Sequence, residues 1–116
     1  MDFNEIKEWY LVPWQKFVDF EGRARRKEFW TFVLVNIVIS VIISSISTTL
    51  GSLFSLAIFI PSLAVSVRRL HDIGKTGWWL LIGFIPLVGL IVLIYFYVQE
   101  GQSGSNEYGT NPKGTL

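Results

Sequence analysis

Residues 29–67 read FWTFVLVNIVISVIISSISTTLGSLFSLAIFIPSLAVSV, a run of 39 positions with no Asp, Glu, Lys or Arg. A second uncharged run covers residues 76–99. A helix rises 1.5 Å per residue, so crossing a hydrocarbon core about 30 Å thick takes about 20 apolar residues. The first run is long enough for two crossings and the second for one. The expected spans are Phe29 to about Ser47, about Leu50 to Val67, and Trp78 to about Val98. A soluble chain of 116 residues could not surround three helices that are apolar on every side. Strands fare no better, because polar and apolar residues do not alternate and three strands cannot close a barrel. The expected fold is an all-α membrane protein, with three transmembrane helices preceded by an N-terminal amphipathic helical segment.

Composition alone hides this. The chain is 51% hydrophobic with a formal net charge of +1, values compatible with a soluble domain. The 19 charged residues, however, fall in three blocks: residues 1–28, 68–75 and 100 onward. Those blocks divide the chain into a cytoplasmic amphipathic and basic segment (1–28), a transmembrane domain (29–98) and a polar tail (99–116). The first segment carries six acidic and six basic side chains and lacks the pattern of a signal peptide. There is no cysteine and only one histidine, so thiol chemistry, disulfides and two-imidazole metal sites are excluded.

Orientation follows from lysine and arginine. Three crossings put residues 1–28 and the Arg68–Lys75 connector on one side, with nine of the ten basic residues. That side is expected to be cytoplasmic, with the N-terminus inside and the tail, which holds only Lys113, in the periplasm. Trp30, Trp78 and Trp79 fall at the cytoplasmic interface, and Tyr95 and Tyr97 are expected at the opposite one. Before the first span, Ile6, Trp9, Tyr10 and Phe17 recur at near-helical spacing. With Pro13 as a break, two short amphipathic helices are expected, about Phe3–Leu11 and Pro13–Phe20. They lie in the headgroup region, pack on the protein's own loops, or both.

Two charged segments form a candidate polar interface. Gly22–Trp30 supplies Arg23, Arg25, Arg26 and Glu28 directly before a span, where basic side chains anchor orientation and attract anionic headgroups. Glu28 needs a cationic partner, either Arg25 or an arginine of the connector. That connector supplies Arg68, Arg69, His71 and Asp72. Arg68 and Asp72 have the four-residue spacing of a helical ion pair, Gly74 can end the helix, and Thr76 can cap the next one. Within the spans, Asn36, Ser40, Ser44 and Ser47 fall within about 80° of helical arc, and Gly51, Ser55, Ser62 and Ser66 within about 60°. Such stripes let helices approach closely and hydrogen-bond. The sharper reading, a polar path for a solute, lacks any ionisable residue inside these two spans. Pro61, Gly83, Pro86 and Gly89 are expected to bend their helices.

Three segments, Phe20–Trp30, Arg68–Trp79 and Gly101–Pro112, come in an order and spacing that resembles the bacterial inner-membrane family called domain of unknown function 805, close to its short enteric members. Glu21 and Thr76 are small departures from its pattern. The resemblance implies an inner membrane location and supplies no activity, substrate or catalytic residue. It also implies that Gly22, Arg23, Arg25, Glu28, Arg69, His71, Asp72, Gly77 and Asn106 form a coupled polar surface, with Glu28 meeting the Arg68–Asp72 segment.

No phosphate loop, nucleophile elbow or pair of intramembrane carboxylates is present. The expected function is a non-enzymatic polytopic protein that binds lipid headgroups, chiefly anionic, or a membrane partner. The alternative is an oligomeric channel or transporter subunit. A homo-oligomer is compatible with both. No cofactor, metal or nucleic-acid partner is expected.

Overall fold

The computed structural model describes residues 2–112, and every regular element within them is helical. Lys113 and the rest of the expected tail, 113–116, lie outside the described residues. Helix α1 spans Phe3–Gln15, α2 Arg26–Ile46 and α3 Thr48–Asp72. A 3-10 segment over Gly77–Phe84 leads to α4, Val88–Val98.

The first uncharged run behaves as its composition requires. Helices α2 and α3 are both long and apolar enough to cross a membrane. They form a tight antiparallel hairpin broken at Ser47, whose side chain caps α3 by accepting from the Leu50 N–H at 3.2 Å. A Cβ at Gly51 would collide with Ser44, so glycine permits the close approach of the two helices there. Helix α3 runs past Val67 to Asp72, which carries Arg68, Arg69, His71 and Asp72 on its last turn. Gly74 then adopts a left-handed φ of 78°, and the Lys75 N–H returns to the Leu70 carbonyl at 2.8 Å. Thr76 precedes the 3-10 segment without a side-chain cap.

Helix α1 is one element rather than two, because Pro13 sits within its last turn. There a proline forfeits a single backbone bond instead of interrupting a ladder. The helix packs on α2 through Tyr10 and Trp14, whose rings meet Phe32 at 5.5 and 6.0 Å, while Phe3, Leu11, Phe17 and Val18 are exposed.

The second uncharged run departs from expectation. Residues 78–98 do not form one spanning helix. Pro86 cannot continue a helix, and Leu87 takes φ 62° and ψ −58°. The Val88 N–H bonds the Pro86 carbonyl at 2.7 Å, which closes a strained three-residue γ-turn. The chain therefore doubles back. Gly89 packs on the backbone of Ile82 and Gly83, Leu93 reaches Gly83, and Phe96 meets Trp79 edge to face at 5.3 Å. Eight 3-10 residues and eleven α residues each rise about 16 Å, half the thickness of a hydrocarbon core.

Both ends of this apolar hairpin consequently lie at the charged end of the α2–α3 pair. Tyr97 stands beside Trp30, whose indole N–H donates to the Tyr97 carbonyl at 3.1 Å, and not at an opposite interface. The tail also folds back over the charged end, which a tail separated from it by a third crossing could not do. At the hairpin tip, Phe84 and Leu87 are 84% and 75% exposed, so the most apolar part of the molecule has no protein cover.

The reversal depends on Gly89, because any Cβ there would strike the Ile82 carbonyl. Gly89→Val is expected to lower stability by about 1–3 kcal/mol, the range for overpacking. Chemical denaturation in detergent micelles checks this, with the exposed Leu90→Val as the neutral comparison.

Candidate functional site, a buried polar clasp

The last turn of α3 projects four ionisable side chains into a space closed by the loop 16–25, the start of α2 and the tail. Arg68 and Arg69 are fully buried, Asp72 is 1% exposed, and Arg23, Glu28 and His71 are also buried. So many charged groups can share a low-dielectric space only if each charge is met by a partner.

Asp72 is the hub. Its Oδ1 accepts from Arg23 Nε at 3.0 Å and its Oδ2 from Arg69 Nη1 at 2.9 Å. Arg68 donates instead to Glu28 Oε2 at 2.6 Å. The expected Arg68–Asp72 pair is therefore absent. Asp72 pairs one turn back with Arg69 and across the fold with Arg23, which leaves Arg68 for Glu28. The partner of Glu28 comes from the connector, not from Arg25.

Three buried guanidinium groups face two carboxylates, and carbonyl oxygens take most of the remaining donors, Arg68 Nη2 staying buried without a partner. Arg23 donates to the carbonyls of Gly104 (2.7 Å), Asp72 (3.3 Å) and Gln102. Arg68 Nε donates to the Asp19 carbonyl at 3.1 Å. The Asp19 carboxyl is held below the usual carboxylate range, chiefly by the Glu21 N–H, with Gly22 and Arg68 adding to it. Arg69 donates to the carbonyls of Tyr97 (3.1 Å) and Gln99, and Arg26 to that of Val98 at 3.1 Å. These oxygens belong to the end of α4, where helix carbonyls have no intrahelical partner. Arginines at that end satisfy them and match the negative pole of the helix.

His71 is clamped rather than presented. Its Nδ1 lies 3.0 Å from the Gly22 carbonyl and 3.2 Å from that of Glu21, which assigns the proton to Nδ1. Tyr108 stacks on the ring at 3.9 Å with planes 3° apart. Asn106 donates to the His71 carbonyl at 2.8 Å, and the Gln102 N–H donates to the Asp72 carbonyl at 2.7 Å. A Cβ at Gly101 would collide with the Asp72 carboxylate, so only glycine lets the tail pass so closely. Among the described residues no group of three or more His, Cys, Asp and Glu side chains could hold a metal ion.

Six of the eight residues of the expected interface thus meet in one cluster: Arg23, Glu28, Arg68, Arg69, His71 and Asp72. The other two flank it. Arg25 lies over the Trp9 ring at 5.1 Å, and Arg26 is exposed. The stripes divide by task. Ser44 faces Gly51, Ser47 caps α3, Ser55 bonds the Gly51 carbonyl at 3.0 Å and Ser66 lies near the Tyr97 side chain. Asn36, Ser40 and Ser62 line an open groove between α2 and α3. Residue patterns alone did not single out Gly101, Gln102 or Tyr108. Asn106 was marked only by the family resemblance.

Asp72→Asn leaves Arg23 and Arg69 without their shared counter-charge and is expected to lower stability by about 3–5 kcal/mol. Glu28→Arg is expected to abolish accumulation in the membrane, and Glu28→Arg combined with Arg68→Glu to recover part of it. Immunoblots of membrane fractions check both.

Comparison with known proteins identifies the family of the chain. Residues 17–110 match the family described as protein of unknown function (DUF805), a stretch that includes every clasp residue. The chain is 46% identical over 113 residues to inner membrane protein YhaI of Escherichia coli (strain K12), covering 91% of this chain and 96% of that protein. It is 38% identical over 117 residues to inner membrane protein YhaH of the same organism, covering 91% and 97%. No solved structure matches the chain. By the length and identity of these matches the chain belongs to the DUF805 family, among its short enteric-type members.

Proposed function

We propose that this is a non-enzymatic inner membrane protein with two crossings and one re-entrant hairpin, both ends of the described chain being cytoplasmic. Its role in this reading is to hold anionic lipid headgroups at the cytoplasmic face. One observation carries the topology: with the hairpin folded back, the charged side chains of the loop before α2, the start of α2 and the end of α3 meet the tail at one end of the α2–α3 pair. Lysine and arginine collect on the cytoplasmic side of membrane proteins, so that end is inside. The inner membrane location of the relatives supports the same compartment.

The clasp supports a binding role of a restricted kind. Arg23, Arg68 and Arg69 are occupied internally and are not the headgroup ligands. The cations left facing outward are Lys7, Lys16 and Arg26, with Lys75 half-buried over the rings of Trp79 and Phe96 at 5.8 and 5.6 Å. Exposed cations beside a membrane surface attract anionic lipid at about 1 kcal/mol each. A solute path is less favoured, because Ser44, Ser47, Gly51 and Ser55 are engaged in packing and capping within one chain.

Two measurements test the proposal. A fluorescent reporter fused after residue 116 is expected to be active and a periplasm-dependent phosphatase fusion inactive, whereas an active phosphatase would restore three crossings. The purified protein is expected to melt higher with phosphatidylglycerol than with phosphatidylcholine. Lys16→Glu with Arg26→Glu should remove about 2 kcal/mol of that difference, and a difference unchanged by these substitutions defeats the headgroup role.

A further inference from the structure

Burial divides the molecule along its length. The core residues Phe29, Phe32, Val65, Leu70, Phe96 and Tyr97 all lie toward the charged end. Between residues 37 and 60 only Gly51 is buried. At the charged end α1, the 3-10 segment and α4 pack around α2 and α3. Tyr10 and Trp14 meet Phe32, Gly77 lies against Val67, and Tyr97 meets Phe29 at 4.3 Å. Beyond Asn36 the molecule narrows to the α2–α3 pair, with Val41, Ile46 and Leu56 exposed.

The hairpin of residues 77–98 cannot even out this taper. Each arm rises about 16 Å. Arg26 and Trp30 fasten its far end at the charged end of α2, through the carbonyls of Val98 and Tyr97. Whatever its tilt, a hairpin of that length stays within one half of a hydrocarbon core about 30 Å thick. Its outward side chains, Trp78, Phe84, Leu87 and Ile91, have no protein cover.

We propose that the taper makes this protein a reader of membrane curvature, with the acyl chains of the cytoplasmic leaflet as the partner of the hairpin. The inference rests on the topology of two crossings and one re-entrant hairpin. In that topology the cytoplasmic leaflet makes room for four helical segments and the opposite leaflet for two. With a helix about 10 Å across, the excess is about 160 Å² per molecule. Helix α1 adds its own footprint at the surface. Such an excess crowds the chains of one leaflet and leaves the other slack. A membrane convex on its cytoplasmic side relieves the mismatch, because there the cytoplasmic leaflet has the larger area. A flat membrane accommodates the protein only by deforming around it. The exposed tip fits the same partner, since packing gaps at a convex surface admit bulky apolar side chains such as Phe84 and Leu87.

The chain has no cysteine, so Lys7→Cys, exposed on α1, carries a single label. In giant vesicles of phosphatidylethanolamine and phosphatidylglycerol, a membrane-impermeant fluorescent maleimide marks only the copies with α1 outward. On a narrow tether pulled from such a vesicle, marked copies are expected to be enriched about twofold or more over a lipid dye. Phe84→Asp, which puts a charge at the hairpin tip, is expected to bring the ratio back toward that of the dye, and Phe84→Leu to leave it high. A tether without enrichment, or an enrichment undiminished by Phe84→Asp, overturns the proposal. Adding Ser103→Cys on the exposed tail checks the topology in the same vesicles, because each marked copy is then expected to carry two dyes. One dye per copy defeats the two-crossing reading and the curvature proposal with it. Two dyes without tether enrichment defeat the curvature proposal alone.

Discussion

The carboxylate of Asp72 is the point on which the molecule's charged end depends. It sits on the last turn of α3, is reached by arginines from two directions, and lies under the backbone of the tail. A buried carboxylate is unfavourable alone and favourable only when its partners are held in place. Arg23 can reach it only if the loop before α2 folds over α3, and Arg69 is fixed by the carbonyls at the end of α4. One acidic group thus couples the loop, the long helix, the hairpin and the tail. The Glu28–Arg68 pair adds a second cross-tie between α2 and α3.

The same interactions solve a problem posed by the short apolar hairpin of residues 77–98. A helix that ends at an interface leaves unpaired carbonyls there, and irregular backbone in hydrocarbon is tolerated only when its polar groups find partners. Here Arg26, Arg69 and Trp30 donate to the carbonyls of Val98, Gln99 and Tyr97. The arginines that look like lipid anchors in the sequence are to a large extent helix caps and counter-ions. The proposed headgroup contact would fall to the cations left outside the clasp.

Much of the fold was legible beforehand. The uncharged run 29–67 specified two long helices because no other structure satisfies its backbone in hydrocarbon. Gly74 was readable as the end of α3 because its position needs a left-handed residue. The meeting of Glu28 with the Arg68–Asp72 segment was also foreseeable, since a carboxylate beside a membrane requires a cation. Which arginine it meets was not, because Arg25, Arg68 and Arg69 are chemically equivalent in a string of letters. The reversal at Pro86–Leu87 was hidden for a different reason. Twenty-one apolar residues fit a full crossing and a half-depth hairpin equally well, and proline at the centre is compatible with a kink or a turn.

What the sequence determined by itself was the solvent of each segment: the runs that belong in hydrocarbon, and the charges that must stay out of it. That follows from composition and length alone, because transfer free energies are local properties of side chains. What only the tertiary structure decided was pairing and direction. The assignment of Asp72 to Arg23 and Arg69, the passage of Gly101 across it and the return of α4 to the charged end all depend on distances between residues far apart in the chain. Those distances follow from packing and from the demand that every buried charge find a partner, and no single segment contains that information.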